Sequence, residues 1–150
     1  MKRLLTMMAL GTALGAGGAL AEGAAATYAD IEKALGTVPG MFTVFPEVGI
    51  AGAWDEFKSV QLNPDTALDG KTKELMGLAV AAQIPCSYCI YFHTAAAKAN
   101  GASDEETREA VAMAAIVRHW STVLNGMQVD PAAFRAEVDA LMQPDAAASN

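Results

Sequence analysis

The sequence predicts an all-α protein. Apolar residues recur at spacings of three to four over most of the chain, and alanine is abundant. No run of alternating β-branched residues suggests a strand. Short clusters of proline, glycine, asparagine and aspartate divide the pattern into segments of helix length. We therefore expect about six helices and no sheet.

The helix boundaries follow from capping and breaking residues. Gly36 ends a first short helix, with "TVPG" as a turn, and Pro85 closes the third helix. The segment Ser103–Glu106 forms a capping box, while Asp130 caps a last helix that has Pro131 in its first position. The expected ranges are residues 28–35, 47–61, 69–84, 85–101, 103–126 and a helix from 130 onward.

The amino terminus has the layout of a secretory signal peptide. Lys2 and Arg3 precede an uncharged run that ends in the small-x-small triplet Ala19-Leu20-Ala21. Residues 1–21 are therefore predicted to be a leader cleaved after Ala21, leaving residues 22–150 as a single periplasmic or secreted domain. The alternative is an uncleaved membrane anchor, but the run is rich in Gly and Thr and marginal in length for a spanning helix.

The charge balance excludes some classes of partner. The formal net charge is −7, and no basic cluster interrupts the acidic composition. Such a chain is a poor ligand for nucleic acid and for anionic membrane surfaces, so we expect neither partner once the leader is removed. Export would also place both cysteines in an oxidising compartment, where a disulfide is the default state.

The chemistry-bearing stretch is "PCSYCIYFHT", residues 85–94. Cys86, Cys89 and His93 stand at i, i+3 and i+7 of one predicted helix and share a face. Free backbone N–H groups in the first turn favour a thiolate at Cys86, and His93 can take a proton from Cys89. A thiolate beside a second thiol can reduce a peroxide through a sulfenic acid that the neighbour resolves. The spacing therefore supplies a nucleophile, a base and a resolving group.

Glu74 is a candidate third member of this site. It precedes Cys86 by twelve residues on the preceding helix, with Gly77 and Ala81 on its side at i+3 and i+7. Such small residues let another helix approach closely. A carboxylate near His93 would orient the imidazole, as acidic groups do in other relays. The alternative is a solvated surface residue.

Three other interpretations of the cysteine motif remain open from spacing alone. Cys86 and Cys89 can form a structural disulfide, although its loop is too short to stabilise the fold much. With His93 they can form a zinc site, which requires a fourth ligand from elsewhere. They can also be two small buried residues beside a core histidine.

Other side chains near these helices are expected to pack. His119 shares a stripe with apolar residues, which predicts a packed face and a core histidine. Tyr88 and Tyr91 either line the approach to the thiols or pack beside them. The apolar residues on the His119 stripe are Ala112, Ile116 and Val123.

Residues 71–111, "KTKELMGLAVAAQIPCSYCIYFHTAAAKANGASDEETREAV", resemble the alkylhydroperoxidase D-like domain of the carboxymuconolactone decarboxylase superfamily. The matching elements are Glu74, the alanine-rich helix, the Cys-x-x-Cys pair, His93 and the "NGAS" turn before an acidic helix start. We take residues 67–117 as the motif core. Upstream, "GTVPGMFTVFPEVGIAGAWDEF" resembles the lead-in helix of peroxidase-related members.

This resemblance implies an all-α fold that oligomerises and a cysteine pair that reduces hydroperoxides. Cys89 would attack the peroxide, Cys86 would resolve the product, and Glu74 with His93 would form the proton relay. This assignment differs from the helix-end argument, which favours the thiolate at Cys86. The implied partners are a hydroperoxide, a dithiol or thioredoxin-like reductant and further copies of the chain, with no cofactor and no metal.

The sequence departs from the family pattern at one position. Some peroxidase members carry a histidine immediately before the second cysteine, where this chain has Tyr88, so any relay must be shorter. Export would separate the chain from cytosolic dithiol partners and require a periplasmic donor.

The predicted function is thiol-dependent hydroperoxide reduction. The alternatives are a non-catalytic helical oligomer with a structural disulfide and a carboxymuconolactone decarboxylase-like lyase. The decarboxylase branch shares the fold without relying on a cysteine pair, so Cys86 and Cys89 argue against the lyase.

Overall fold

The computed structural model describes residues 15–143, and every regular element in that range is helical. The all-α prediction is confirmed, with seven α-helices among the described residues where about six were expected. None of the described helices combines the length and apolar character that crossing a membrane requires. The elements are α1 (Gly15–Leu35), α2 (Gly40–Thr43), α3 (Ile50–Glu56), a π-helical turn (Phe57–Gln61), α4 (Gly70–Gln83), α5 (Ser87–Ala99), α6 (Asp104–Gly126) and α7 (Pro131–Met142).

The chain divides into two compact units between Thr66 and Ala67. The first contains α1 to α3 and the π-helical turn, and the second contains α4 to α7. The predicted motif core, residues 67–117, begins where the second unit begins. A single domain over residues 22–150 stays a prediction.

An aromatic cluster holds the first unit together. Trp54 is almost completely buried, its ring meets Phe42 edge-on at 5.4 Å, and it stacks on Phe57 at 6.0 Å. The indole Nε1 donates to Asp30 Oδ2 at 2.7 Å, which ties α3 to α1. The Lys58 side chain bonds the same carboxylate at 2.6 Å, and these two donors hold the pKa of Asp30 below its ordinary value. The buried indole therefore has its polar atom satisfied.

In the second unit, α4 packs against both α5 and α6. Asp69 caps α4 by accepting from the Thr72 N–H, and Ser103 and Glu106 form the predicted capping box at the start of α6. Lys71 Nζ meets Glu106 Oε1 at 2.8 Å and joins these two helix starts. This contact and the Ser103 N–H lower the pKa of Glu106. The contribution of the Glu106 carboxylate to the free energy of unfolding is therefore present at neutral pH and is lost as the pH falls through the folded-state pKa of Glu106.

The structure corrects several boundaries in the first unit. The first helix begins at Gly15, well before the expected residue 28, because the alanine-rich segment continues the helix. The helix α2 was not predicted, and the helix expected over 47–61 begins at Ile50 and changes to π geometry at Phe57. The predicted stops at Gly36 and Gly101 are confirmed, and both glycines have positive φ.

The predicted leader lies mostly outside the described residues, which begin at residue 15. Residues 15–21 form the first turns of α1, and that helix continues past the expected cleavage point after Ala21. Cleavage and export stay predictions.

Replacing Ser103 with alanine removes the acceptor for the Glu106 N–H at the start of α6. We expect the free energy of unfolding to fall by about 1 kcal/mol, since loss of a serine cap has that typical cost. Urea denaturation followed by circular dichroism measures it. Ser121→Ala, at an exposed position inside the same helix, should change stability by less than about 0.5 kcal/mol. Equal losses in both variants would contradict the capping argument.

Candidate active site

A buried carboxylate and an imidazole meet where α4 packs against α5. Glu74 Oε2 lies 2.7 Å from His93 Nδ1, and the two side chains are 6% and 20% exposed. Burial of a carboxylate is unfavourable unless a hydrogen-bonding partner compensates it, and His93 supplies one. Glu74 is therefore not the solvated surface residue of the alternative interpretation.

The hydrogen bond determines how the imidazole is presented. An ionised carboxylate only accepts, so beside it Nδ1–H of a neutral His93 donates to Glu74 and the second ring nitrogen, Nε2, carries the lone pair. In this orientation Nδ1 is hydrogen-bonded to Glu74, and Nε2 is the nitrogen that can accept a proton. Cys89 precedes His93 by one helical turn on α5.

The His93 ring packs directly against Gly77. A Cβ built on Gly77 would lie 2.9 Å from His93 Cγ and closer still to Nδ1 and Cε1. The ring therefore lies directly on the backbone of α4, one turn after Glu74. The sequence indicates Gly77 only as a small residue that lets helices approach. The direct contact with His93 depends on the side chain's direction and is visible only in the structure.

The two cysteines lie at the amino terminus of α5, where they form a disulfide. Cys86 is the N-cap residue, and its sulfur accepts the Cys89 backbone N–H at 3.2 Å. Both cysteines are partly exposed, so neither is the fully buried residue of the core interpretation. The backbone N–H groups and the positive end of the helix dipole would stabilise a thiolate at Cys86 once the disulfide is reduced.

The structure brings the four predicted site residues onto two neighbouring helices. Cys86, Cys89 and His93 lie on or at the start of α5, and Glu74 reaches His93 from α4. The catalytic roles assigned to them stay predictions. Within residues 15–143 no three His, Cys, Asp or Glu side chains are arranged to hold a metal ion.

The His119 stripe does not pack as expected, and the exposure of Tyr88 and Tyr91 excludes the packed arrangement, one of the two expected for them. Tyr88 and Tyr91 are largely exposed beside the disulfide. His119 is exposed on α6, with its ring edge-on to Trp120 at 5.3 Å, so the prediction of a core histidine is wrong. On the same stripe Ala112 and Ile116 are also exposed. The face is apolar as predicted, and of its named residues only Val123 is half-buried.

The sequence model of the carboxymuconolactone decarboxylase family matches residues 49–130. The chain belongs to the carboxymuconolactone decarboxylase family. This match covers more than half of the chain and includes all four site residues.

Known proteins support this membership. The crystal structure of the alkylhydroperoxidase AhpD core from Rhodospirillum rubrum superposes with a TM-score of 0.65 at 26% sequence identity, covering 83% of this chain and 94% of that one. The predicted resemblance to alkylhydroperoxidase D-like domains is confirmed. "Uncharacterized protein 4 in cox locus" from Paracoccus denitrificans is 43% identical over 54 residues, which are 36% of this chain and 49% of that protein. The matched stretch therefore spans about half the length of this curated relative.

Replacing Gly77 with alanine should displace the His93 ring from Glu74. An alanine inside a helix normally stabilises by roughly 0.5–1 kcal/mol, but the clash with the imidazole should reverse that sign and cost about 1–3 kcal/mol. Urea denaturation measures the stability. The downfield ring N–H proton of His93, observed by NMR, reports the hydrogen bond and should be lost.

The matched control is Gly52→Ala inside α3, where an added Cβ meets nothing within 4 Å. It should raise stability or leave it unchanged. A Gly77→Ala variant that is as stable as Gly52→Ala and keeps the His93 N–H signal would show that the His93 ring does not need the space at Gly77.

Proposed function

We propose that this family member reduces hydroperoxides with the Cys86–Cys89 pair and that Glu74 and His93 relay the proton. The proposal rests on one observation: the buried Glu74 carboxylate is hydrogen-bonded to Nδ1 of His93. His93 lies on α5, the helix that carries both cysteines at its start. A structural disulfide alone has no need of an orientated base one turn from its second sulfur. The family membership and the likeness to an alkylhydroperoxidase core support the same class of reaction.

The first step begins from the reduced pair. His93 Nε2 takes the proton of the Cys89 thiol, and the thiolate attacks the terminal oxygen of the hydroperoxide. The O–O bond breaks, Cys89 becomes a sulfenic acid, and the departing alkoxide takes the proton from His93 and leaves as an alcohol. Glu74 holds the imidazole in position and stabilises the positive charge that it carries between the two transfers.

The second step closes the disulfide. Cys86 attacks the sulfur of the Cys89 sulfenic acid, an S–S bond forms, and the hydroxyl group leaves as water after taking the Cys86 proton. The product is the bonded pair at the start of α5. A dithiol or thioredoxin-like donor then supplies two electrons and two protons to regenerate the thiols.

The cap of α5 supports a direction for that reduction. A donor thiolate that attacks Cys89 expels Cys86, whose sulfur accepts the Cys89 N–H at the helix terminus. A stabilised thiolate is the better leaving group in thiol–disulfide exchange. The acidic character of Cys86 and the peroxide-attacking role of Cys89 are therefore compatible, because they act in different half-reactions.

The donor and the compartment are part of the proposal. If the leader is removed, the mature protein works in the periplasm or outside the cell with a thioredoxin-like reductant there. Mass determination of the mature amino terminus would identify the cleavage point. A protein that begins at Met1 in its native host would reject export by this leader.

Replacing either cysteine should abolish turnover. With cumene hydroperoxide and a dithiol donor, Cys89→Ser should reduce peroxide consumption to background, because the attacking sulfur is absent. Cys86→Ser should leave at most a single turnover that ends in a sulfenic acid, which a dimedone adduct detects by mass spectrometry. Tyr88→Phe, between the two cysteines, is the matched control and should retain activity. A parent that consumes peroxide no faster than background, as both cysteine variants should, would favour a non-catalytic protein or a lyase.

Glu74→Gln should lower kcat by about 100-fold, since general acid–base catalysis contributes that order of magnitude. The amide keeps the size of the side chain but removes the charge that stabilises protonated His93. Glu32→Gln, an exposed position on α1, is the control and should leave kcat unchanged. Equal rates for the parent and Glu74→Gln would argue against the relay while leaving the cysteine chemistry intact.

Thiol titration separates the redox function from a permanent disulfide. In a dithiol redox buffer, we expect the Cys86–Cys89 bond to open at potentials that cellular dithiols reach. A bond that stays closed below about −300 mV would indicate a structural disulfide. The readout is the fraction of alkylated thiols by mass spectrometry.

A further inference from the structure

A cleft of about 380 Å³ lies in the second unit, where the carboxyl end of α4 meets the middle of α6. We define the Arg118 cleft by Ala82, Pro85, Val111, Ala115 and Arg118. The defining residues are apolar except for Arg118. Small-molecule sites commonly combine apolar walls with a few polar groups, and the volume of this cleft lies within their usual range.

Contacts with α4 hold the Arg118 guanidinium in place. Its Nε donates to Gln83 Oε1 at 2.7 Å, and its Nη2 donates to the Gln83 carbonyl at 3.5 Å. The Gln83 amide in turn donates to the carbonyl of Ala114. A guanidinium carries several N–H donors in one fixed plane, so these contacts leave the other donors for a ligand. The cation is therefore preorganised in the wall of the cleft.

The charge of Arg118 is not balanced by a neighbouring carboxylate. In the part of the chain that the structure describes, Arg118 forms no ion pair, whereas Arg108 on the same helix pairs with Glu105 at 3.2 Å. Residues 75–98 and 110–129, which include every wall of the cleft, contain no Asp or Glu. A cation among apolar residues attracts an anion strongly, because a weakly polar environment screens the pair less than water does.

The cleft adjoins the cysteine motif. Pro85 is both a wall of the cleft and the residue before Cys86. The Cys86 N–H donates to the Ala81 carbonyl at 3.1 Å, which holds the start of the motif against the last turn of α4. Gln83, which binds Arg118, precedes Cys86 by three residues, so their Cα atoms are at most about 11 Å apart. The hydrocarbon chain of a fatty acid can span that distance.

We propose that the Arg118 cleft binds a fatty-acid hydroperoxide, with the carboxylate on Arg118 and the hydrocarbon chain along Ala82 and Pro85. The chain beyond Pro85 then carries the hydroperoxide group to the cysteine pair. Its reduction yields the corresponding hydroxy acid, water and the Cys86–Cys89 disulfide. This substrate class rests on the proposed hydroperoxide reduction, whereas the binding of a fatty-acid carboxylate by Arg118 does not.

Oleate tests the cleft without peroxide chemistry, because it has the carboxylate and the chain but no O–O bond. The parent should bind oleate below its critical micelle concentration, as measured by isothermal titration calorimetry. Arg118→Gln should raise the Kd about tenfold, since an amide cannot form the charge-assisted pair with a carboxylate. Arg135→Gln removes the same charge from an exposed position on α7 and should bind oleate as the parent does.

A second variant tests the cleft while keeping the Arg118 charge. Ala115→Phe places a ring in the cleft and should also weaken oleate binding about tenfold, because the hydrocarbon chain loses its space. Ala112→Phe adds the same ring at an exposed position of α6 outside the cleft and should leave the Kd unchanged. Circular dichroism of all variants should match the parent, which shows that a loss of binding is not a loss of folding.

Peroxidase assays with an uncharged dithiol donor test the substrate class. In the parent, the kcat/KM for linoleic acid hydroperoxide should exceed that for its methyl ester about tenfold, and Arg118→Gln should remove this preference. Consumption of cumene hydroperoxide, which has no carboxylate, should be the same in both proteins. A purely structural role of Arg118 would instead lower the rates with all three peroxides by the same factor.

Several results would overturn the proposal. Unchanged oleate binding in Arg118→Gln, or equal losses in Arg118→Gln and Arg135→Gln, would reject Arg118 as the carboxylate site. Equal kcat/KM for the acid and the ester, in a parent that consumes cumene hydroperoxide, would reject the substrate class and leave the proposed function intact. A parent that consumes none of the three peroxides would reject the proposed function and the substrate class together, while Arg118-dependent oleate binding would still support the carboxylate site.

Discussion

The hydrogen bond between Glu74 and His93 is the constraint on which the second unit depends. A carboxylate that is almost fully buried requires polar partners, and its partner on α5 is reached only if α4 and α5 approach closely. Gly77 makes that approach possible because any side chain there would overlap the imidazole. The packing of α4 on α5 and the orientation of the imidazole therefore depend on the same three residues, Glu74, Gly77 and His93.

The remaining features of the site follow from its position at a helix terminus. The start of α5 provides the Cys86 sulfur with a backbone donor, and the next turns place Cys89 and then His93 in order. A short stretch of one helix thus contributes two sulfurs and a base, while the preceding helix contributes the group that orients the base.

The sequence predicted the second unit better than the first, for physical reasons. The Ser103 capping box and the Asp130 cap are local signals, so the starts of α6 and α7 could be located from neighbouring residues alone. The helix α2 and the π-helical turn depend on how the aromatic cluster around Trp54 packs, which no local pattern encodes. Periodicity correctly found the apolar stripe of α6 but could not reveal that Ala112, Ile116 and His119 on that stripe are exposed.

The cap of α5 affects the relative stability of the oxidised and reduced forms of the Cys86–Cys89 pair. The Cys86 sulfur accepts the Cys89 N–H while it is part of the bond, and the same sulfur becomes an anion when the bond opens. A charged acceptor binds its donor more strongly than a neutral one and also interacts favourably with the helix dipole. The cap therefore stabilises the reduced pair more than the oxidised pair. The midpoint potential rises, so the helix start makes this dithiol a more oxidising couple than the same residues would be in an unstructured chain.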